Sequence, residues 1–135
     1  MKKALYSPRV AKTKGPYVQG VAVSDGTLIY TSGVVARDAR GRIRGAGDIA
    51  AQTRQCLKNI ENIIRAGGGR LADLVKVTVF LRDLRDYAAM NRVRRELLSG
   101  VAFASSTVQA QLNAPEALIE VEAVAFVSKS KGGRA

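Results

Sequence analysis

Leu118-Ile119-Glu120-Val121-Glu122-Ala123-Val124-Ala125-Phe126-Val127 alternates with the period of a β-strand. Ile119, Val121, Ala123, Ala125 and Val127 make one apolar side, and Leu118, Glu120, Glu122, Val124 and Phe126 make the other. A strand with aliphatic side chains on both sides needs cover on both sheet faces. The two carboxylates fit either of two arrangements. Glu120 and Glu122 are solvated at a sheet edge, or their face meets another subunit around a polar cleft.

The segments before this strand cover one face only. Asp48 is placed to cap a helix in which Ile49, Thr53, Cys56, Leu57, Ile60, Ile63 and Ile64 recur at helical spacing as far as Gly67-Gly68-Gly69. That is a helix of about five turns at 3.6 residues per turn. Asp86 caps a second, marked by Tyr87, Met90, Val93, Leu97 and Leu98 and closed by Gly100. Its Arg92, Arg94, Arg95 and Glu96 read as a solvated face. Leu74 to Leu81 alternates as a strand between the helices, and Ser106 to Leu112 is a strand joined to the last one by a loop containing Pro115. Near the N-terminus, Tyr17 to Val23 and Leu28 to Thr31 flank Asp25-Gly26, a two-residue turn signal that predicts a β-hairpin. Residues 32–47, rich in Gly, Arg and Asp, predict a long exposed loop with room for a short strand. The order β-β-α-β-α-β-β, without internal repeat, predicts one α+β domain over residues 1–135, its two helices on one face of a mixed sheet.

Composition excludes whole mechanisms. A chain of 135 residues, 47% hydrophobic, builds a core without disulfide or metal. Without histidine there is no Ser-His-Asp triad and no Cys-His pair, and one cysteine cannot make a structural zinc site. Any metal chemistry would rest on carboxylates, so no metal ligand set is assigned. The 22 Lys and Arg against 11 Asp and Glu give a net charge of +11, but the excess is uneven. Basic tails at about 1–15 and 129–135 hold Lys2, Lys3, Arg9, Lys12, Lys14, Lys129, Lys131 and Arg134, leaving 14 basic against 11 acidic residues in the body. Nucleic-acid binders concentrate charge on a folded face interleaved with aromatics, and aromatics are 5% here. Weak, salt-dependent polyanion adsorption is expected, not specific recognition. No stretch is apolar for the roughly 18 residues of a membrane span, and the N-terminus offers no signal-peptide run. With a lone Cys56, the cytoplasm is the expected compartment.

Six segments then resemble one family in order and spacing: Gly15-Pro16-Tyr17, Tyr30-Thr31-Ser32-Gly33, Ala51 to Ile60, Val75 to Leu81, Tyr87 to Asn91, and Ile119 to Ala125. Together they cover nearly all of the chain between the tails and look like the Rid/YjgF family, the reactive-intermediate deaminases. The resemblance implies a chorismate-mutase-like fold and a homotrimer whose sheets pack inward as a barrel, with three clefts between subunits. Active members hydrolyse 2-imino or 2-enamino acids to 2-keto acids and ammonia without a cofactor.

Carried over residue by residue, the resemblance makes Glu120 the catalytic group that positions the attacking water, against a plain reading as an exposed strand glutamate. Tyr17, Ser32 and Asn91 match substrate-binding positions, and each also reads plainly: a core tyrosine, a turn serine, a solvated helix asparagine. Position 105 departs from the pattern. Active members carry an arginine there, and this chain has Ser105, so the fork that grips a carboxylate is absent and ordinary 2-imino acid deamination is not implied. Ser105 and Thr107 complete the substrate-binding set as hydrogen-bonding residues, and Arg37, Arg40, Arg42 and Arg44 in the loop after Ser32 are candidates for a replacement anchor or simply exposed loop residues. Three functions follow: a divergent imine or enamine deaminase, a small-molecule-binding trimer without turnover, or RNA cleavage and translation inhibition drawing on the basic tails. Gly67-Gly68-Gly69 is a helix stop, Cys56 a core thiol, and Lys76 a Schiff-base candidate only if buried.

Overall fold

The computed structural model describes residues 1–129; Lys131 and Arg134 of the C-terminal tail lie outside them. The strands and α-helices follow in the order β1 (Lys2–Leu5), β2 (Gly20–Val23), β3 (Gly26–Tyr30), β4 (Val34–Val35), α1 (Ile49–Ala66), β5 (Leu74–Leu81), α2 (Tyr87–Leu97), β6 (Ala104–Gln109) and β7 (Ile119–Ser128), with single 3-10 turns at Leu71–Asp73 and Leu84–Asp86. The larger sheet runs β3-β7-β5-β6, with β4 pairing the end of β7; β5 and β6 are parallel and the other ladders antiparallel. It is the expected mixed sheet of an α+β fold.

The strand quoted first is the second from the edge in that sheet. Ile119, Val121, Ala123 and Ala125 are buried, together with Val77, Val79 and Leu81 of β5, against Cys56, Leu57, Ile60 and Ile64 of α1. Helix α1 begins as expected, with Asp48 Oδ1 accepting from the Ala51 N–H at 3.0 Å. Helix α2 packs on α1, and its Met90 and Val93 join Phe103 in the same core. Among the described residues, no helix covers the opposite face of the sheet. It presents Glu120, Glu122, Thr78 and Lys76, with Leu28 and Tyr30 of β3 and Val108 of β6 exposed.

The N-terminal hairpin does not form. β2 pairs with β1, Lys2 opposite Val23, and β3 pairs with β7, so the two strands flanking Asp25-Gly26 lie in different sheets. Asp25 does adopt the left-handed conformation a tight turn needs (φ 59°), but long-range partners take both strands. The loop after Tyr30 carries the short strand β4. Beyond β6, Arg82 fixes the chain by donating to the Ala117, Leu112 and Ala114 carbonyls, and buried Gln52 of α1 donates to the Gly45 and Glu116 carbonyls and accepts from the Leu118 N–H. These bonds set where β7 begins, and so where Glu120 stands.

Candidate functional site

The residues singled out in the sequence fall into two groups. Glu120 stands in the β-ladder between Val35 of β4 and Phe80 of β5, on the helix-free face. It is half-buried beside a small apolar cluster of Leu112, Ala114 and Ala117, to which Val35 and Phe80 add their side chains. A Cβ built on Gly33 would collide with Glu120 Oε2, so the carboxylate lies directly on the Gly33 backbone. Glycine permits this close approach, and any larger residue would push the carboxylate aside, which gives the Ser32-Gly33 pair a purpose beyond a turn. Ser32 itself is exposed, and its carbonyl accepts from Thr31 Oγ1 at 2.8 Å.

The second group lies on the helix side. Ser105 and Thr107 of β6, both half-buried, sit opposite Val77 and Val79, whose side chains enter the core. Asn91 is buried, which removes its solvent-facing reading. Tyr17 packs against the edge of the core, while the Val18 N–H donates to the Phe103 carbonyl at 2.9 Å and holds the segment along β6. Glu120 and the Asn91–Ser105 group are therefore on opposite faces of one sheet within a single chain.

Arg94 links the second group. It is 1% exposed, not part of a solvated helix face as its sequence neighbours suggest. Nε and Nη2 donate to Asn91 Oδ1 at 3.1 and 2.8 Å, Nη1 donates to Ser105 Oγ at 2.7 Å, and the guanidinium lies 5.6 Å from the centroid of the Phe103 ring. Burial lowers its pKa to about 10; the phenols of Tyr87 and Tyr17 oppose that shift, and Arg95 adds to it. The sequence held a signal for this placement: Tyr87, Met90, Asn91 and Arg94 follow i, i+3, i+4, i+7, so Arg94 stands on the inward stripe.

Of the loop arginines, Arg40 is exposed and, among the described residues, bonds only through its backbone N–H, to Asp38, and Arg37 lines the hollow beside Gly33. Arg42 and Arg44 pair with Asp38, whose carboxyl is held below its usual range chiefly by the Arg42 backbone N–H, and Arg37 donates to the Gly41 carbonyl. The hollow of about 730 Å³ beside Gly33 is lined by Asn59 and Gln55, whose amides are bonded to each other and to the Val35 and Arg37 carbonyls. Lys76 is half-exposed and donates to Ser106 Oγ at 3.1 Å, which is not the dry setting a Schiff-base lysine requires. Cys56 is a core thiol: burial, with the Glu120 charge as a smaller cause, pushes its pKa up to about 12. Among the described residues, no helix is long and apolar enough to cross a membrane.

The helix-covered mixed sheet is shared with known proteins. The family model described as Endoribonuclease L-PSP matches residues 8–127. A RutC family protein of Pyrococcus horikoshii is 36% identical over 126 residues, 93% of this chain and 98% of its own length. The crystal structure of the YjgF gene product from E. coli is 35% identical, with a TM-score of 0.68 over 92% of this chain and 98% of that one. A protein of the conserved Rid family from Yersinia pestis, YyfB, is 27% identical with a TM-score of 0.78, over 93% of this chain and 98% of its own. The chain belongs to the Rid/YjgF family.

Proposed function

We propose that this protein is a homotrimeric imine or enamine deaminase working in clefts between its copies. Glu120 orients a water and takes its proton as the oxygen adds to the carbon of a protonated imine. Glu120 then returns that proton to the amine nitrogen of the adduct, which leaves as ammonia while the hydroxyl gives up its proton and becomes the carbonyl. Enamines enter the same route by protonation at carbon. The iminium is already electrophilic, so the protein has only to place the water, relay one proton and hold the substrate.

The observation that carries this reading is the seating of the Glu120 carboxylate on Gly33, half-buried beside Phe80 and Val35. A carboxylate held against backbone has few orientations open to it, which is what a water-positioning base needs. The exposed Leu28, Tyr30 and Val108 on the same sheet face support a copy packing there. An intersubunit cleft is also the arrangement in which groups on opposite sheet faces can serve one ligand. Binding without turnover is the second reading, and Ser105 in the place of the family arginine is what favours it.

The test is keto-acid release from an imino acid generated in situ by an amino-acid oxidase. Acceleration by the wild type that Glu120→Ala lowers at least tenfold is expected. No acceleration leaves the binding reading. Light scattering should give the mass of three chains, and a monomer across micromolar concentrations would remove the cleft.

A further inference from the structure

A guanidinium carries five N–H donors and a full charge. Arg94 uses three donors, all on neutral acceptors: two on Asn91 Oδ1 and one on Ser105 Oγ. One N–H remains on each terminal nitrogen, the pair of atoms that grips a carboxylate end-on. None of the ion pairs among the described residues includes Arg94. Buried cations are normally matched by an anion, and this one is matched by an amide, a hydroxyl and an aromatic face. A methionine or leucine would fill the same helix position at no electrostatic penalty, so the charge calls for a ligand that needs it.

The location says which ligand. Ser105 is half-exposed on β6, an edge strand, so the Nη1 end of the guanidinium is the end nearest solvent. A hollow of about 400 Å³ lies beside the group, lined by Tyr17, Val18, Leu98 and Val101 together with the exposed Arg95, and Arg94 stands buried behind this lining. We infer that Arg94 is the anion anchor of the cleft, reaching from α2 to the place that an arginine at position 105 would occupy, and that the substrate therefore carries a carboxylate. Asn91 holds the guanidinium plane from behind, and Ser105 is small so that this plane fits. This rests on the reading of the cleft as a small-molecule site, and it restores to the chain the carboxylate selectivity that Ser105 alone would remove.

The probe is pyruvate, the keto acid formed from 2-aminoacrylate, with uncharged pyruvamide beside it. Titrated into the assembled protein, pyruvate should shift the Arg94 Nε–H resonance and those of Ser105, and pyruvamide should leave them in place. Arg94→Met should weaken pyruvate binding at least tenfold, while Arg92→Met, which removes the same charge from an exposed position on the same helix, should not. Arg94→Lys covers the case in which the methionine variant fails to fold: it keeps the charge and loses the fork, and should also bind several-fold more weakly. Pyruvate binding equal in wild type and either Arg94 variant overturns the inference, as does pyruvamide binding as well as pyruvate. In turnover, loss of Arg94 should raise KM for a carboxylate-bearing imine far more than it lowers kcat. Pyruvate binding that depends on Arg94, without any hydrolysis that depends on Glu120, leaves the anchor standing and removes the deaminase reading. Hydrolysis that depends on Glu120 and ignores Arg94 does the reverse.

Discussion

Arg94 Nη1 donates to Ser105 Oγ at 2.7 Å, so a guanidinium rooted on α2 ends against the β6 position where the family pattern expects one rooted on the strand. The two side chains form a pair in which size and charge are exchanged: a serine leaves the volume that an arginine from the neighbouring helix fills. Asn91, one turn earlier on α2, fixes the guanidinium by accepting from both Nε and Nη2.

That pairing decides what Ser105→Arg does. Alone, it sets a second guanidinium against a buried first one, and like charges without an anion between them repel strongly. The single variant should lose about 1–3 kcal/mol in urea unfolding. Combining it with Arg94→Met removes the conflict, and the double variant should recover most of the stability together with pyruvate binding. A single variant that is stable and binds more tightly would show that the two arginines do not compete for one place.

Gly33 offers a way to disturb Glu120 without altering its charge. A Cβ at this position collides with Glu120 Oε2, and the backbone of the β4 strand that follows is tied to β7. The carboxylate should give way, because a side chain moves more easily than a laddered strand. A displacement of about 1 Å at a reacting group can lower a rate by about a hundredfold. Gly33→Ala should therefore lose at least tenfold in imine hydrolysis with an unchanged thermal melt, whereas Ser32→Ala, at an exposed side chain, should lose less.

How much of this was legible follows from the range of the interactions. Asp48, the apolar stripe of α1 and the alternation of β5 and β7 are local patterns, and each gave its element correctly. The hairpin at Asp25-Gly26 failed because turn chemistry is local while strand partners are not: β1 and β7 outcompete the neighbouring strand. Arg94 was hidden by its company, since Arg92 and Arg95 are exposed and a run of arginines reads as surface. Only the helical offset from Met90 and Asn91 separates it from them. The seating of Glu120 needs Gly33, 87 positions away, and no one-dimensional pattern links the two.

Cys56 should be inert in the folded chain. With its pKa pushed up to about 12, about one thiol in ten thousand is ionised at pH 8, and Sγ faces the Val34 carbonyl at 3.6 Å. Alkylation at pH 8 should be undetectable in buffer and complete in denaturant. The same shift makes stability depend on pH. The folded pKa lies above the ordinary thiol value of 9.0, so this contribution is fully present below pH 9 and is lost as pH rises toward 12. Arg94, lowered by burial to about 10, acts with the opposite sign above pH 10. Between pH 9 and 10 the thiol should dominate, and Cys56→Ala should flatten the fall in stability there.

The N-terminal charge cannot be removed by truncation without touching the fold. Residues 2–5 are β1, paired to β2 from Lys2 opposite Val23 to Leu5 opposite Gly20, and Lys2 Nζ donates to the Ala72 and Leu74 carbonyls at 3.1 and 2.7 Å. Burial lowers the Lys2 pKa, with Asp73 opposing, so this ammonium is partly structural. Deleting residues 1–5 should cost about 1–3 kcal/mol and blur any comparison of RNA binding. Arg9, Lys12 and Lys14 are exposed and can be neutralised together as glutamines. That triple variant should keep the wild-type melt and imine hydrolysis while its adsorption to RNA weakens and becomes less salt-dependent, with a log–log slope shallower by about 2. If RNA binding instead survives the triple variant and high salt, the body of the domain recognises RNA, and the small-molecule cleft is no longer the best account of what the fold does.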